Sequence, residues 1–230
     1  MHTIKKLALG LALLLTLTAC AGPAASSPSP SPQPAALLDS QALAALVDWQ
    51  ADEYLAGTFE TREEAIAHLD LRELYTGLTL EDGTAATMAL FTVLNTPHAA
   101  GFQRTVVLLL DGEMKPIGQA AVAADSVEFQ QLDGSHVLFL QTSRSTGISS
   151  YYLTLLKATP GGWEDQTENS GLVLDELGNL YYSLSMGDLY VFENTVQELF
   201  AVPEYRQLCV LLWMGEEKGG FQDYTTLERS

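Results

Sequence analysis

The sequence predicts an α+β fold that is mainly β, in which an N-terminal helical hairpin packs on an antiparallel β-meander. Apolar residues between positions 40 and 77 recur at helical spacing. After Thr84 the period changes, and short apolar and β-branched runs alternate with turn signals. Helical spacing returns only at Val196–Phe200, before Pro203. Consecutive strands without helices between them are therefore expected to pair as hairpins.

The first twenty residues have the parts of a secretory signal. Lys5 and Lys6 supply a short positive region, and an apolar run from Leu7 to Leu17 follows. A transmembrane helix is disfavoured, because a bilayer span takes about 20 apolar residues. Residues 1–19 are therefore expected to form a signal peptide.

The segment ends in Leu17-Thr18-Ala19-Cys20. This ending resembles the lipobox of bacterial lipoproteins, in which signal peptidase cuts before the cysteine and its sulfur carries a diacylglycerol. The resemblance implies that Cys20 is lipidated and binds the bilayer at the extracytoplasmic face of the cell membrane. A plain secretory signal is the alternative, but it would not need a cysteine at the cleavage site.

Residues 20–36 are expected to form a tether behind the lipid. After Cys20 they read AGPAASSPSPSPQPAA, which lacks large apolar side chains and favours extended polyproline II. At about 3.1 Å per residue, such a spacer reaches roughly 50 Å. Residues 37–230 then have the length of one extracytoplasmic domain.

Charge excludes one class of partner. The chain has 11 Lys and Arg against 29 Asp and Glu, a formal charge of −18. Loss of the signal removes Lys5 and Lys6 but no acid, and the charge becomes still more negative. Nucleic acid and anionic headgroups need basic clusters, and no basic stripe follows residue 36. We therefore expect no nucleic-acid partner.

Two helices are predicted at the start of the domain. Ser40 is a candidate N-cap for the first, which Gly57 would end. Thr61-Arg62-Glu63-Glu64 fits a capping box for the second, and Gly77 suits its C-terminal stop.

The strands follow from the apolar runs after Thr84. Dipeptides such as Asp133-Gly134 and Gly187-Asp188 favour hairpin turns between them. The predicted strands are Thr87–Leu94, Gln103–Leu110, Ile117–Ala123, Val127–Leu132, Val137–Thr142, Ser150–Leu156, Leu172–Asp175, Leu180–Leu184, Leu189–Phe192, Gln207–Trp213 and Phe221–Thr226.

One stretch, from Leu132 through Leu156, resembles a repeat of the integrin-α-like FG-GAP type. That family binds calcium through an Asp-rich loop, of which only Asp133-Gly134 is present here. Phe129 and Gln131 stand at the other ligand positions. The resemblance therefore implies no calcium site.

Motifs for catalysis or cofactor binding are missing from the sequence. His68, His98 and His136 form no HExxH and no pair at metal spacing. Ser149 lies in a sequence that departs from the nucleophile elbow. After Cys20, Cys209 is the remaining cysteine, and its apolar strand favours a buried, inert thiol. We expect no cofactor and no metal, and we assign no catalytic residue.

The candidate ligand-binding residues are Ser143, Arg144, Thr146 and Tyr152. They belong to a hydroxyl-rich stretch with one of the few arginines, followed by two tyrosines. A guanidinium suits carboxylate or phosphate groups, and tyrosine suits sugar or peptide faces. The alternative is a solvated hairpin loop whose serines bond to their own backbone.

These observations favour a membrane-anchored domain that binds a polar ligand or a surface protein, or acts as a scaffold. One alternative is an extracytoplasmic hydrolase of cell-wall or glycan substrates, which would show a histidine beside an acid in a pocket. Another is an NTF2-like cone, in which helices and a curved sheet enclose an apolar pocket.

Overall fold

The computed structural model describes residues 39–94, 104–123, 126–145, 148–174, 179–196 and 201–224, and within them the side chains of Ala123, Arg144, Ser145 and Ile148 are not described. The predicted signal peptide, lipidated Cys20 and tether lie outside these residues. None of the described helices is long and apolar enough to cross a bilayer.

Three short helices open the domain in place of the predicted hairpin: α1 (Ser40–Ala44), α2 (Glu53–Thr58) and α3 (Arg62–Ala67). The predicted single helix from Ser40 to Gly57 is wrong because Asp52 starts a new one. Its carboxylate accepts from the backbone N–H groups of Tyr54 and Leu55. Asp39 caps α1 in the same way, so Ser40 is the first helical residue rather than the cap.

The capping box of α3 is confirmed in its first half. Thr61 accepts from the backbone N–H of Glu64, and the Glu64 carboxylate reaches back to the N–H of Glu60. The expected end of this helix at Gly77 is wrong. The chain enters strand β1 at Leu69.

The error at β1 (Leu69–Thr79) has a physical origin in two irregularities of its pairing with the next strand, β2 (Ala85–Val93). Register shifts lie between Leu71 and Glu73 and between Tyr75 and Leu78. Each shift changes which face the following residues use. Apolar side chains on one face therefore recur at a spacing of three, which imitates a helix.

The described residues contain twelve strands, which form three antiparallel sheets of four, each a meander in chain order. Sheet 1 contains β1 (Leu69–Thr79), β2 (Ala85–Val93), β3 (Arg104–Asp111) and β4 (Pro116–Ala123). Sheet 2 contains β5 (Ser126–Gln131), β6 (His136–Ser145), β7 (Ile148–Thr159) and β8 (Gly162–Asp165). Sheet 3 contains β9 (Leu180–Ser185), β10 (Asp188–Asn194), β11 (Tyr205–Trp213) and β12 (Phe221–Asp223).

The helices and sheets stack as layers with three apolar interfaces. Phe91 and the other apolar side chains on the same face of sheet 1 pack against the helices. Met88 and the residues on the other face of sheet 1 pack against Phe139 of sheet 2. Leu138, one position earlier, lies in the interface with sheet 3. Central strands of sheets 1 and 2 are thus buried on both faces, which explains their nearly continuous apolar sequences.

Most predicted strands after Thr84 are confirmed, with two corrections. Residues 172–174 of the predicted strand Leu172–Asp175 have no regular structure, and Asp175 lies outside the described residues. β8 was not predicted, because its sequence Gly-Trp-Glu-Asp lacks an apolar run. The ends of three other predicted elements also lie outside the described residues: Gln103, residues 197–200 and residues 225–226.

The mainly β, antiparallel class is confirmed, but one meander is replaced by three stacked sheets. An NTF2-like cone would require a single curved sheet wrapped around helices. Here the helices cover one outer face of sheet 1, and sheet 3 forms the other end of the stack.

Candidate functional site

The predicted binding residues lie at the end of sheet 2 where β6 passes into β7. Ser143 pairs with Ser150, and Gln141 pairs with Tyr152, so Ser143 and Tyr152 lie on the same face one step apart. Tyr152 is 44% exposed, whereas Ser143 is buried at 5% exposure. Because Ser143 is buried, its hydroxyl is not accessible to a ligand at the surface.

The remaining predicted site residues are described less fully. Arg144 pairs with Ser149 in the β6–β7 ladder, and its side chain is not described. Thr146 and Cys20 lie outside the described residues.

Four aromatic rings from two sheets meet at this same end, and we call them the tyrosine cluster: Tyr151, Tyr181, Phe192 and Tyr205. Tyr151 of sheet 2 meets Tyr181 of sheet 3 nearly edge to face, with ring centroids 4.8 Å apart. Tyr181 also contacts Tyr205 at 5.0 Å and Phe192 at 5.5 Å. The register explains the meeting within sheet 3, because Tyr181 pairs directly with Phe192. Strand pairing across sheet 3 and stacking on sheet 2 thus bring the rings together.

Tyr205 is the exposed member of the cluster. It is 45% exposed, although Tyr151 and Tyr181 surround part of it. Burial raises the pKa of its phenol, with further contributions from Tyr151 and Tyr181 and from a hydrogen bond with Tyr151. Tyr205 therefore presents a ring face together with a hydroxyl that stays protonated at neutral pH.

Other aromatic residues have internal partners. Tyr182 is 2% exposed and donates its hydroxyl to the carbonyl of Val173. Trp163 donates to the carbonyl of Val107 and packs between sheets 1 and 2. These two side chains contribute to the core.

A polar network occupies the opposite end of the sheets, and we call it the turn network: Glu81, Asp133, His136, Lys157, Gln166, Trp213 and Glu216. Asp133 lies in the β5–β6 turn and accepts from the backbone N–H groups of Ser135 and His136, both at 2.9 Å. Its carboxylate also contacts His136 Nδ1 at 2.9 Å and accepts from Trp213 Nε1 at 2.8 Å. One carboxylate thus joins the turn of sheet 2 to the last residue of β11.

The other side of the imidazole faces a second carboxylate. His136 Nε2 lies 3.2 Å from Gln166 Oε1 and 3.6 Å from Glu216 Oε2. Lys157, adjacent to His136 in the ladder, binds Glu216 at 2.7 Å and Glu81 at 2.9 Å. Lys157 therefore connects hairpin turns of sheets 1 and 3 through sheet 2.

Contacts within the turn network favour the charged forms of Asp133, Lys157 and Glu216. Burial raises the pKa of Asp133, but hydrogen bonds from His136, the Ser135 and His136 amides and Trp213 outweigh it and hold the pKa well below its usual range. Hydrogen bonds to Glu216 and Glu81 hold the pKa of Lys157 above its usual range. The bond from Lys157 chiefly lowers the pKa of Glu216.

This geometry does not place a nucleophile where His136 could activate it. Ser135 Oγ lies 3.3 Å from Nδ1, the nitrogen that faces Asp133, and Nε2 faces an amide and a carboxylate. His136 itself is 4% exposed. Across the described ranges, no group of three His, Cys, Asp or Glu residues is arranged to hold a metal ion.

Sequence reasoning missed both assemblies as units. Tyr151 follows the predicted binding stretch, but no local pattern connects it with Tyr181, Phe192 or Tyr205. In the turn network, the Asp133-x-x-His136 spacing was a local signal for a turn in which the carboxylate reaches the imidazole. The contact with Trp213 spans 80 positions and had no local signal.

Comparison with protein-family models matches no family, and comparisons with curated proteins and with solved structures each give no match. Any functional assignment therefore rests on the chain's own residues and their geometry.

Proposed function

We propose that the protein is a lipid-anchored binding protein on the extracytoplasmic face of the membrane, and that the tyrosine cluster is its ligand site. The anchor rests on the Leu17-to-Cys20 sequence and the tether behind it. The observation that carries the binding role is the meeting of four aromatic rings, with Tyr205 45% exposed.

The ligand class follows from the groups presented. Tyrosine rings stack on the apolar faces of sugars while their hydroxyls form hydrogen bonds. A formal charge of −18 disfavours anionic polymers. We therefore propose a neutral, hydroxyl-rich ligand such as a cell-wall glycan. Arg144, Thr146 and Tyr152 are the further contacts that the sequence predicts.

Binding is favoured over hydrolysis by the turn network. Its histidine and acids satisfy one another, and they lie at the other end of the sheets from the aromatic surface. The hydrolase alternative calls for a histidine beside an acid at the ligand, and the His136–Asp133 pair lies away from the tyrosine cluster.

A glycan and cell-wall-fragment array probed with the full chain in detergent micelles tests the proposal. Tyr205→Ala should weaken binding by about tenfold or more, since truncation of a central aromatic anchor costs about 2 kcal/mol. Arg144→Ala and Tyr152→Ala should weaken it less. The matched control is Met186→Ala, because Met186 is fully exposed in the turn at the opposite end. Unchanged binding by Tyr205→Ala, or an equal loss in the control, would contradict the assignment.

A further inference from the structure

The outer face of sheet 3 extends beyond the tyrosine cluster. Tyr182, Leu189 and Val191 lie in the core between sheets 2 and 3. Successive residues of a strand point to opposite faces, so their neighbours Tyr181 and Tyr190 lie on the face directed away from sheet 2. The pairing of β9 with β10 has no register shift, and this alternation therefore holds along both strands.

Cross-strand pairs identify the other residues of this outer face, because paired residues lie on the same side of a sheet. Phe192 of β10 pairs with Tyr181 of β9 and with Gln207 of β11. Two positions along β10 in either direction there is one further pair on the same face: Tyr190 with Ser183, and Asn194 with Tyr205.

Four of these residues lie beside the tyrosine cluster, and we call them the outer strip: Ser183, Tyr190, Asn194 and Gln207. Gln207 is exposed and the other three are partly exposed. All four are uncharged, and their hydroxyl and amide groups can both donate and accept hydrogen bonds. The neighbouring charges of Glu193 and Arg206 lie one position along, on the other face, and pair with each other at 2.5 Å.

The outer strip and the tyrosine cluster together are longer than one sugar ring. Tyr190 and Asn194 are four residues apart on β10, which at about 3.4 Å per residue is about 14 Å. Tyr190 lies at one end of this length, and Tyr205, the partner of Asn194, lies at the other. An uncharged surface complements an uncharged ligand, and a surface of this length can contact several rings of one chain in succession.

We propose that the outer strip extends the tyrosine cluster into a site for several consecutive sugars of a flat, uncharged, β-1,4-linked glycan chain, with Tyr190 as the contact farthest from Tyr205. This inference rests on the proposed function, because it requires the tyrosine cluster to bind glycan. A flat chain is favoured over a coiled one, because its rings follow a line and the contacts of the outer strip follow the direction of one strand. Hydroxyl and amide groups of the strip bind the sugar hydroxyls, and the Tyr190 ring binds a sugar face.

Calorimetric titration of the full chain in detergent micelles tests the proposal. The probes are N-acetylglucosamine oligomers of two, four and six units and the matching glucose oligomers, all β-1,4-linked. Maltohexaose, an α-1,4-linked glucose hexamer, is the control for linkage. In at least one β-1,4 series the hexamer should bind about tenfold more tightly than the dimer, because it gains ring contacts that the dimer cannot reach. Maltohexaose should bind no more tightly than the dimer.

Protein variants locate the added contacts. Tyr190→Ala should weaken binding of the hexamer about fivefold, as expected for loss of one aromatic contact, and leave the dimer unchanged. Tyr190→Phe is the matched control, because it keeps the ring and should retain most of the affinity for the hexamer. Ser183→Glu places a charged, bulkier side chain beside Tyr190 and should weaken the hexamer similarly, which gives a second measurement at the same end of the strip. Tyr205→Ala should weaken both oligomers.

Several results would overturn the proposal and leave the proposed function standing, provided that Tyr205→Ala still loses binding on the glycan array. They are equal affinity for dimer and hexamer in both series, tighter binding of maltohexaose than of either β-1,4-linked hexamer, and hexamer binding that neither Tyr190→Ala nor Ser183→Glu weakens. Affinity for the hexamer that falls as protein concentration rises would assign the outer strip to a second copy of this chain. Absence of binding to every glycan on the array would instead overturn the proposed function together with this proposal.

Discussion

Substitution of Asp133 by Asn should destabilise the protein strongly for a turn residue. The Asp133 carboxylate accepts from two backbone amides, from His136 Nδ1 and from Trp213 Nε1. Asparagine keeps the size and one acceptor oxygen, but its amide NH₂ is a donor. The substitution therefore leaves either the imidazole or the indole N–H facing another donor.

The magnitude follows from burial. An unsatisfied buried donor costs about 1–3 kcal/mol, and loss of a charge-assisted bond adds to this. His136 is buried, but the Asp133 side chain is 38% exposed, so water screens part of the effect. We expect a net loss of about 2–3 kcal/mol. With a urea slope of about 2 kcal/mol per molar, the unfolding midpoint falls by about 1–1.5 M.

The assay is urea unfolding followed by tryptophan fluorescence, to which Trp213 contributes. Asp82→Asn is the matched control, because Asp82 also accepts a turn amide, that of Thr84, but is exposed and has neither a histidine nor an indole as partner. Its midpoint should stay close to that of the wild type.

Acid should narrow the difference between wild type and Asp133→Asn. The folded-state pKa of Asp133 is lowered, so its stabilisation is fully present above the unfolded pKa of about 3.9 and is lost as pH falls toward the folded value. The two midpoints should therefore approach each other between about pH 5 and pH 2. A gap that stays constant over this range, or an equal loss in Asp82→Asn, would refute the role given to the carboxylate.

Three further predictions concern the anchor, the free thiol and the central lysine. Cys20→Ala should abolish palmitate labelling and membrane fractionation, and labelling that persists would exclude the lipobox. Burial, with a contribution from Asp223, raises the pKa of the half-buried Cys209 thiol, so alkylation near pH 8 should be slow until denaturant is added, and labelling at the rate of free cysteine would contradict this. Lys157→Met should lower the free energy of unfolding in urea by about 1 kcal/mol, because an apolar side chain of similar length replaces a buried charge. The half-exposed Glu81 and Glu216 carboxylates can then return to water. A loss of several kcal/mol would show that the ion pairs themselves hold the sheets together.

The sequence predicted elements well where one local signal decided the structure. The continuous apolar runs of β3 and β6 left little choice other than buried strands. The turn predicted at Gly187-Asp188 is present one residue earlier, at Met186 with φ 54° and Gly187 with φ 101°, because Asp188 already pairs with Ser185. The prediction failed at β1, where two register shifts gave strand residues a helical spacing. Pairing partners across the sheet, and not the residues of β1 themselves, fix that conformation.

Division into three sheets had no comparable local signal. A meander of hairpins can continue as one sheet or divide into several. Where it divides depends on which arrangement buries the apolar side chains on both faces of the strands. Leu138 and Phe139 illustrate this, because neighbouring residues of one strand lie in two different cores. Only the presence of a sheet on either side requires both side chains to be apolar.

The turn network and the tyrosine cluster, at opposite ends of the sheets, differ in how far their side chains remain accessible to a ligand. In the turn network, the charged groups are paired within the protein. Lys157 contacts the carboxylates of Glu81 and Glu216, and His136 lies between those of Asp133 and Glu216. In the tyrosine cluster, the rings contact one another, and Tyr205 remains 45% exposed. The polar groups at the end with the turn network are already paired with one another. The end with the exposed ring is therefore the one at which we propose ligand binding.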